Sequence, residues 1–423
     1  MKNNYDIIVV GGGTAGCSCA YIAATYGLKV LLIEKNSFLG GSITSSLVIP
    51  AMKTSENAIN TEFFDTLYEK LNSIGGAITY SDGNKGWFNP ELTKIVLDEM
   101  LISVGVDILF ESNIKDINSV KNKKGLLSYI VTIENDNQFL FHEELLPPVE
   151  TIYLVDATGD AKICEKLNCE FLEKKSQPIN LRFIMSGINV KEFSDWIMEF
   201  DKNRDVTTSC TVDGKTYLST AYTWDKGTIK WALEPLFKAA INEGIITEND
   251  SNYFQLFSVA GTPDSIAFNC PRILDISANP YIAGRQSILR LANFCKKYLK
   301  GFNNAYISSI ANSLGIRVSN RVKGKYIYTQ ENLKSGKKFE NPVVISNYPI
   351  DIHSDKKNSS KLEKVLQEYQ LPLESLMVNE QLFVAGRCIS ADFEAQAALR
   401  IIPSCFSMGE GLAKYLVKQK LNQ

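Results

Sequence analysis

The chain has 423 residues, 45% of them hydrophobic, enough for about two or three domains and a large buried core. Its 45 Lys and Arg against 47 Asp and Glu leave a formal charge of -2, which argues against a dedicated nucleic-acid surface with clustered, uncompensated base. No apolar run is long enough to span a bilayer, and the chain enters strand and glycine turn too early for a cleavable leader, so a cytoplasmic, membrane-free protein is expected. The 9 cysteines show no C-x-x-C spacing, so they read as reduced, packed residues rather than a metal site or disulfide framework.

Tyr5 to Val10 is a nearly continuous apolar run rich in β-branched residues, the mark of a buried parallel strand. It runs into Gly11-Gly12-Gly13-Thr14-Ala15-Gly16, a helical stretch from Cys17 to Tyr26, a second strand from Lys29 to Ile33, and then Glu34. In this G-x-G-x-x-G, Gly11 permits the tight turn, Gly13 lets backbone approach a pyrophosphate, and Gly16 lets helix and strand pack closely. The helix start offers free N–H groups to phosphate. Glu34 is placed to accept from an adenosine ribose and to repel a 2′-phosphate.

Leu39-Gly40-Gly41-Ser42-Ile43-Thr44 follows, an ordinary loop turn if it stood alone. Asn89 is a plausible N-cap for a helix over 91–104. Residues 106–144 alternate strand-like runs with turns and suit a β-meander, with Lys121-Asn122-Lys123-Lys124 as a solvated hairpin tip. Ile152 to Asp160 is an apolar strand ending in the polar turn Ala157-Thr158-Gly159-Asp160, with Asp160 readable as a helix N-cap. Farther on, Tyr217 to Trp231 looks like a hairpin centred on Asp225-Lys226-Gly227. Leu289–Leu299 and Glu363–Tyr369 look helical, and Lys356 to Lys361 is a polar loop. Gln381 to Arg387 is a third strand entering a glycine turn, before a helix from about Pro403 to Val417 that carries Gly409 and Gly411.

In this order the segments resemble the FAD-dependent oxidoreductase family of the glutathione-reductase-like flavoprotein fold, distantly like the flavoproteins of fumarate reductase and succinate dehydrogenase. The match covers roughly residues 5–187 and 310–417. It includes Phe88-Asn89-Pro90-Glu91, Gln177 to Phe183, Gly315-Ile316-Arg317, Tyr348 to His353, Ala385 to Ser390 and Arg400 to Cys405. The resemblance implies an α/β fold. A discontinuous Rossmann-type FAD-binding domain, a parallel sheet with a β-meander crossover, takes residues 1–175 plus 375–423, and a second α+β substrate domain takes 176–374. It implies cofactor contacts from Gly11, Gly13, Thr14, Ala15, Gly16, Glu34, Lys35, Gly40, Gly41, Ser42, Thr44, Ala157, Thr158, Gly159, Asp160, Gly386, Arg387 and Gly409. The chain departs from the family pattern at Val318, Asn320, Phe393 and Glu410, where an acid, an arginine, a histidine and a glutamine are common.

Residues 36–52 contain no cysteine, so disulfide-reductase chemistry is not expected. With only His142 and His353 in the chain, no histidine is suited to covalent attachment, and the FAD is expected to be dissociable. No separate nicotinamide domain and no cluster-like cysteine run is visible. His353 is the candidate acid–base group, because imidazole titrates near neutrality; a buried histidine bonded to backbone is the plainer reading. Arg182, Arg317, Arg321, Arg387 and Arg400 are candidate anion binders, Arg317 and Arg321 foremost, since the guanidinium fork suits carboxylate and phosphate. The catalytic set is therefore His353, Arg317 and Arg321, with no metal. The expected activity is hydride transfer between flavin N5 and a small, anionic organic substrate. An NAD(P)H-dependent flavin monooxygenase and a flavin-binding RNA-modifying or scaffold protein are the alternatives, and a homodimer is compatible with the architecture.

Overall fold

The computed structural model describes residues 2–121, 127–135, 144–223, 232–273, 279–353 and 361–422. The first strand, β1 (Asn4–Val10), lies at the centre of a parallel sheet because both its faces are apolar and buried. It pairs with β2 (Val30–Ile33) on one side and with Val149–Asp156 on the other, in registers Ile7↔Val30 and Ile7↔Tyr153. Asp107–Leu109 extends the sheet beyond β2, and Leu382–Val384 pairs parallel to the end of Val149–Asp156. The antiparallel strands Ser112–Lys121 and Leu127–Asn135 peel off the start of Val149–Asp156 as the expected meander. Their hairpin tip, 122–126, and His142 lie outside the described residues.

Helix α1 (Thr14–Thr25) packs on this sheet and against the last helix, Ile402–Leu421. The two backbones almost touch: a Cβ on Gly409 would lie 2.1 Å from the Ala15 carbonyl oxygen and 2.9 Å from the Cys19 amide nitrogen. Ser18 Oγ donates to the Phe406 carbonyl at 2.8 Å across the same seam. At the start of α1 itself, a Cβ on Gly16 would lie 1.9 Å from the Gly11 carbonyl oxygen. The helix Pro90–Ser103 begins where expected, with Asn89 Oδ1 accepting from the amides of Glu91 and Leu92 at 3.0 and 3.1 Å.

A second, antiparallel sheet has the strand order 207–212, 215–223, 253–259, 262–268, 183–186, 306–310. Its core is aromatic, with Phe183 stacked on Phe268 at 4.5 Å between centroids and Phe237, Phe254 and Phe294 packed around them. Tyr328, Val344, Ile350, Tyr369 and Leu371 bury themselves instead in the first core, beside the last helix.

The hairpin expected around Asp225-Lys226-Gly227 has its centre outside the described residues. Its first limb belongs to Lys215–Thr223, which forms another hairpin with Thr207–Val212 across Asp213-Gly214. Asp213 and Gly214 have positive φ (49° and 74°), the conformation that a two-residue hairpin turn demands and that Asp and Gly tolerate. Two local expectations are corrected. Glu363–Tyr369 is not a helix. Tyr369 and Leu371 alternate inward along a strand paired with Pro342–Ser346, so cross-strand burial overrides local helix propensity. The helix expected over 289–299 starts earlier, at Pro280, capped by Asn279. Of the polar loop 356–361, all but Lys361 falls outside the described residues.

Because the seam at Gly409 has no room for a side chain, Gly409→Val is expected to lower stability by about 2 kcal/mol or more, read as a fall in denaturant midpoint. An unchanged midpoint would mean that the seam opens without cost.

Candidate functional site: a dinucleotide cradle beside an arginine cluster

The parallel strands deliver their polar turns to one edge of the first sheet. Gly11–Gly16 follows β1, Glu34 follows β2, Ala157–Asp160 follows the third strand, and Ala385–Arg387 follows Leu382–Val384. The loop Gly40–Thr44 folds over the first turn, with the Gly40 amide donating to the Gly12 carbonyl at 2.8 Å. A Cβ on Gly41 would lie 2.7 Å from Gly13 Cα, whereas one on Gly13 would meet nothing closer than 3.9 Å. Gly13 thus presents bare backbone to open space. Helix α1 starts there with no side-chain cap and no acid in its first turn, and Ile402–Leu421 starts in the same way. Uncapped helix N-termini leave donors for an anionic ligand.

Glu34 is buried and already engaged. Oε2 accepts from the Gly12 amide at 2.7 Å, and Oε1 accepts from the Asn36 amide and side chain. Burial raises its pKa against the pull of those donors, while Oε2 retains a lone pair for a further donor. Exposed Lys35 helps, with Arg387, to hold Asp160 as the anion despite its burial. Arg387 Nη2 reaches Asp160 Oδ1 at 2.5 Å, and its guanidinium fills the space beside Gly159, where a Cβ would lie 3.0 Å from Cζ. The capping role expected of Asp160 belongs to Asp156. Its fully buried carboxylate accepts from the amides of Thr158, Ile163 and Cys164 and from Thr158 Oγ1, because Ala161 in a left-handed conformation turns the first helical amides toward it.

Beyond this cradle lies a cluster of arginines. Arg182 Nη1 donates to the Ser46 carbonyl at 3.2 Å and Nε to Asn269 Oδ1 at 2.7 Å. Asn269 Nδ2 donates to Gln255 Oε1, which also accepts from Tyr253 Oη. The Arg272 guanidinium lies over the Tyr253 ring at 4.2 Å and reaches His353 Nδ1 at 2.7 Å. His353 Nε2 faces Asp351 Oδ2 at 3.2 Å, and Asp351 in turn accepts from Arg400 at 3.1 Å. Arg317 donates to the Pro178 carbonyl at 2.8 Å. Burial and the charges of Arg182 and Arg400 push its guanidinium well below the usual range. Gln396 ties the two regions together, its Nε2 donating to the carbonyls of both Arg317 and Arg387 at 3.1 Å.

His353 and Arg317 are therefore brought together, whereas Arg321 is not. Arg321 is buried and donates to the carbonyls of Ala391 and Glu173, facing Asp392, Glu394 and Glu173. His353 has both ring nitrogens occupied. Arginine can only donate, so Nδ1 accepts from Arg272 and Nε2–H donates to Asp351, one fixed neutral tautomer. Burial, with Arg317 and Arg272, pushes its pKa down to about 3 against the pull of Asp351. Sequence reasoning missed Arg272, Asn269 and Gln255. They lie in a stretch with no motif, and His353, the partner of Arg272, is 81 positions away. The departures from the family pattern have local roles: Asn320 Nδ2 donates to the Asp160 carbonyl, and Glu410 accepts from the Phe63 amide and Lys414.

A parallel sheet with a meander crossover, a glycine cradle and an acid after the second strand define a dinucleotide-binding flavoprotein. A family profile described as "FAD dependent oxidoreductase" matches residues 6–418, and the chain belongs to that family. It is similar to a glycerol 3-phosphate oxidase of Mycoplasma genitalium, 29% identical over 164 residues, 36% of this chain and 38% of that protein. It is also similar to a digeranylgeranylglycerophospholipid reductase of Picrophilus torridus, 27% identical over 152 residues, 28% of this chain and 38% of the relative. The match thus spans under two fifths of either relative.

Among solved structures, a p-nitrophenol 4-monooxygenase from Pseudomonas putida superposes with TM-score 0.51 at 11% identity, over 99% of this chain and 81% of that one. An aklavinone-11 hydroxylase complexed with FAD and aklavinone superposes with TM-score 0.50 at 11% identity, over 100% and 64%. At such identity the likeness is one of fold. The residues present fit FAD, the cofactor for which the family is described: bare backbone at Gly13, two uncapped helix starts and the buried Glu34 lie at one edge of the sheet. Among the described residues no helix is long and apolar enough to cross a membrane, and no group of three or more His, Cys, Asp or Glu is placed to hold a metal.

The neutral, buried His353 gives stability a pH dependence. Between its unfolded value of 6.5 and its folded value of about 3, the unfolded chain binds a proton that the folded one does not, so stability falls as pH drops through that window. His353→Asn is expected to flatten this part of the profile in chemical denaturation at graded pH. A wild-type slope retained by the variant would place the acid sensitivity elsewhere.

Proposed function

We propose that the protein moves a hydride between FAD and a small organic anion held by Arg182, Arg317 and Arg400. The observation that supports this reading best is the pair Arg182 and Arg317, buried beside the cofactor cradle with only neutral hydrogen-bond partners among the described residues. Removing charge from water is costly unless it is paired, and the carboxylate of Asp351 is engaged by Arg400 and His353. The chemistry that FAD supplies is two-electron exchange as a hydride. The chain's own residues bind and orient. Arg182 and Arg317 offer forks to the anion, and the Asp351–His353 pair fixes Arg400 and Arg272. Arg321 works at a distance, tying the segments at Glu173 and Ala391 that flank the cradle. With its imidazole doubly engaged, His353 serves as a positioning residue in this arrangement.

The test is anaerobic mixing of the holoenzyme with small carboxylates, hydroxy acids and phosphate esters, following flavin absorbance. Bleaching by one of them is the expected result. Failure of every candidate, with rapid bleaching by NADH or NADPH and oxygen-dependent product, would replace this reading by a monooxygenase. For an active substrate, Arg317→Gln is expected to raise KM about 10- to 100-fold with a smaller change in kcat, the signature of lost uniform binding through a charge-assisted hydrogen bond. An unchanged KM would remove Arg317 from the anion site.

A further inference from the structure

We infer that Cys164 and Cys169 form a peroxide-responsive dithiol, in which Cys169 meets the oxidant and Cys164 closes a disulfide onto it. The inference is independent of the anion reading above.

The backbone brings the two sulfurs together. The short helix Lys162–Lys166 ends on Leu167 and is followed by Asn168 in the left-handed conformation, φ 55°. The Asn168 amide donates to the Glu165 carbonyl at 3.1 Å, and the Cys169 amide to the Cys164 carbonyl at 2.9 Å. These two bonds make a Schellman ending, in which the side chain near the helix end and the one just beyond the left-handed residue meet, often as two apolar groups. Here both are cysteines, and their thiols are hydrogen-bonded to each other. The backbone is anchored on both sides. Asp156 Oδ2 accepts from the Cys164 amide at 3.0 Å, and past Cys169 the Glu170 carbonyl accepts from the Lys323 amide at 2.9 Å. A disulfide joins only cysteines whose backbones are close and whose side chains face each other. Hydrogen-bonded thiols on hydrogen-bonded backbones meet that demand.

The two thiols are not equivalent. Cys164 is fully buried, whereas Cys169 is half-buried. The hydrogen bond from Cys164 lowers the Cys169 thiol against the opposing effect of burial; the same contact, with burial, pushes Cys164 up. Burial pushes up every other cysteine too, including Cys210, which is also half-buried. The thiolate is the form that attacks, so the reachable sulfur is also the reactive one.

The chemistry balances with a hydroperoxide as oxidant. The Cys169 thiolate attacks one peroxide oxygen: an S–O bond forms, the O–O bond breaks, and the departing hydroxide takes up a proton as water. Sulfur gives two electrons to the peroxide. The Cys164 sulfur then attacks the sulfenic sulfur of Cys169. An S–S bond forms, the S–O bond breaks, and the Cys164 proton leaves with hydroxide as a second water. Asp156, which holds the Cys164 amide, also accepts from Thr158 of the cofactor turn, so the modification sits beside the cradle.

The test treats the FAD-loaded protein, its thiols first reduced, with hydrogen peroxide, quenches with N-ethylmaleimide and maps the cysteines by peptide mass spectrometry. Cys169 is expected to lose its alkylatable thiol about ten or more times faster than any cysteine other than Cys164. The peptides carrying Cys164 and Cys169 are expected to be recovered joined, and to separate with dithiothreitol. Cys164→Ser is expected to halt the reaction at the sulfenic acid of Cys169, which dimedone captures, and Cys169→Ser to leave Cys164 reduced. The wild-type rates and the joined peptides need no variant, so a folding defect in either substitution leaves the test intact.

Oxidation of another cysteine ahead of this pair would overturn the inference, as would survival of both thiols in excess peroxide. A wild-type Cys169 that stops at the sulfenic acid would remove Cys164 from its role and defeat the dithiol. Undiminished oxidation of Cys164 in a natively melting Cys169→Ser variant would do the same.

Discussion

The contact on which the structure depends is that between the Ala15 carbonyl and the space where Gly409 has no side chain. It lets the first and last helices of the chain approach backbone to backbone, and it therefore closes a sheet built from both ends of the sequence. Once those helices are locked together, their uncapped starts face the same edge of the sheet, where β1, β2 and the two later parallel strands end. The cradle follows from topology: polar turns can gather only where parallel strands all point the same way. Gly16 and Gly41 repeat the device on a smaller scale, each removing a side chain where two backbones cross.

The second constraint is electrostatic. A protein interior rejects isolated charge, and the cluster around Arg317 sets its arginines against neutral acceptors: Ser46, Pro178, Asn269 and the imidazole of His353. These contacts orient the guanidinium groups without neutralising them. Tyr253 contributes a face rather than a charge, lying flat beneath Arg272 while its hydroxyl anchors the Gln255–Asn269 chain that ends on Arg182. Orientation is thus fixed in advance of binding, which lowers the entropy a ligand must surrender.

The cradle was legible in the sequence because its physics is local. Gly11, Gly13, Gly16 and Glu34 sit within a single strand–turn–helix–strand unit, and each spacing has a steric reason. The helix cap at Asn89 and the meander were readable for the same cause. The arginine cluster was only half legible. Arg182, Arg317 and Arg400 lie in segments with a family likeness, but Asn269 and Arg272 lie in a stretch whose meaning comes from partners far along the chain. The usual titration range of histidine carries no information about its surroundings: Asp351 and Arg272 occupy both nitrogens of His353, which no local pattern discloses. The swap of Asp156 for Asp160 as the helix cap turned on one left-handed residue, Ala161. The misplaced helix at 363–369 shows the reverse situation, where strand pairing of its two ends, Glu363 with Ile350 and Tyr369 with Ser346, overrode a sound local propensity.

Gln396 joins the two halves of the site through one amide nitrogen shared between the carbonyls of Arg317 and Arg387. Arg387 in turn grips Asp160 on the cofactor side, so a single amide touches the backbone of both arginines. Any factor by which a bound anion changed retention of FAD would be returned by FAD to the anion, since linkage is reciprocal. Measuring the FAD dissociation constant with and without phosphate reads that factor, and a ratio of one would show Gln396 to be a strut and not a coupling. If the ratio exceeds one, the enzyme holds its cofactor most firmly when there is something for it to oxidise or reduce.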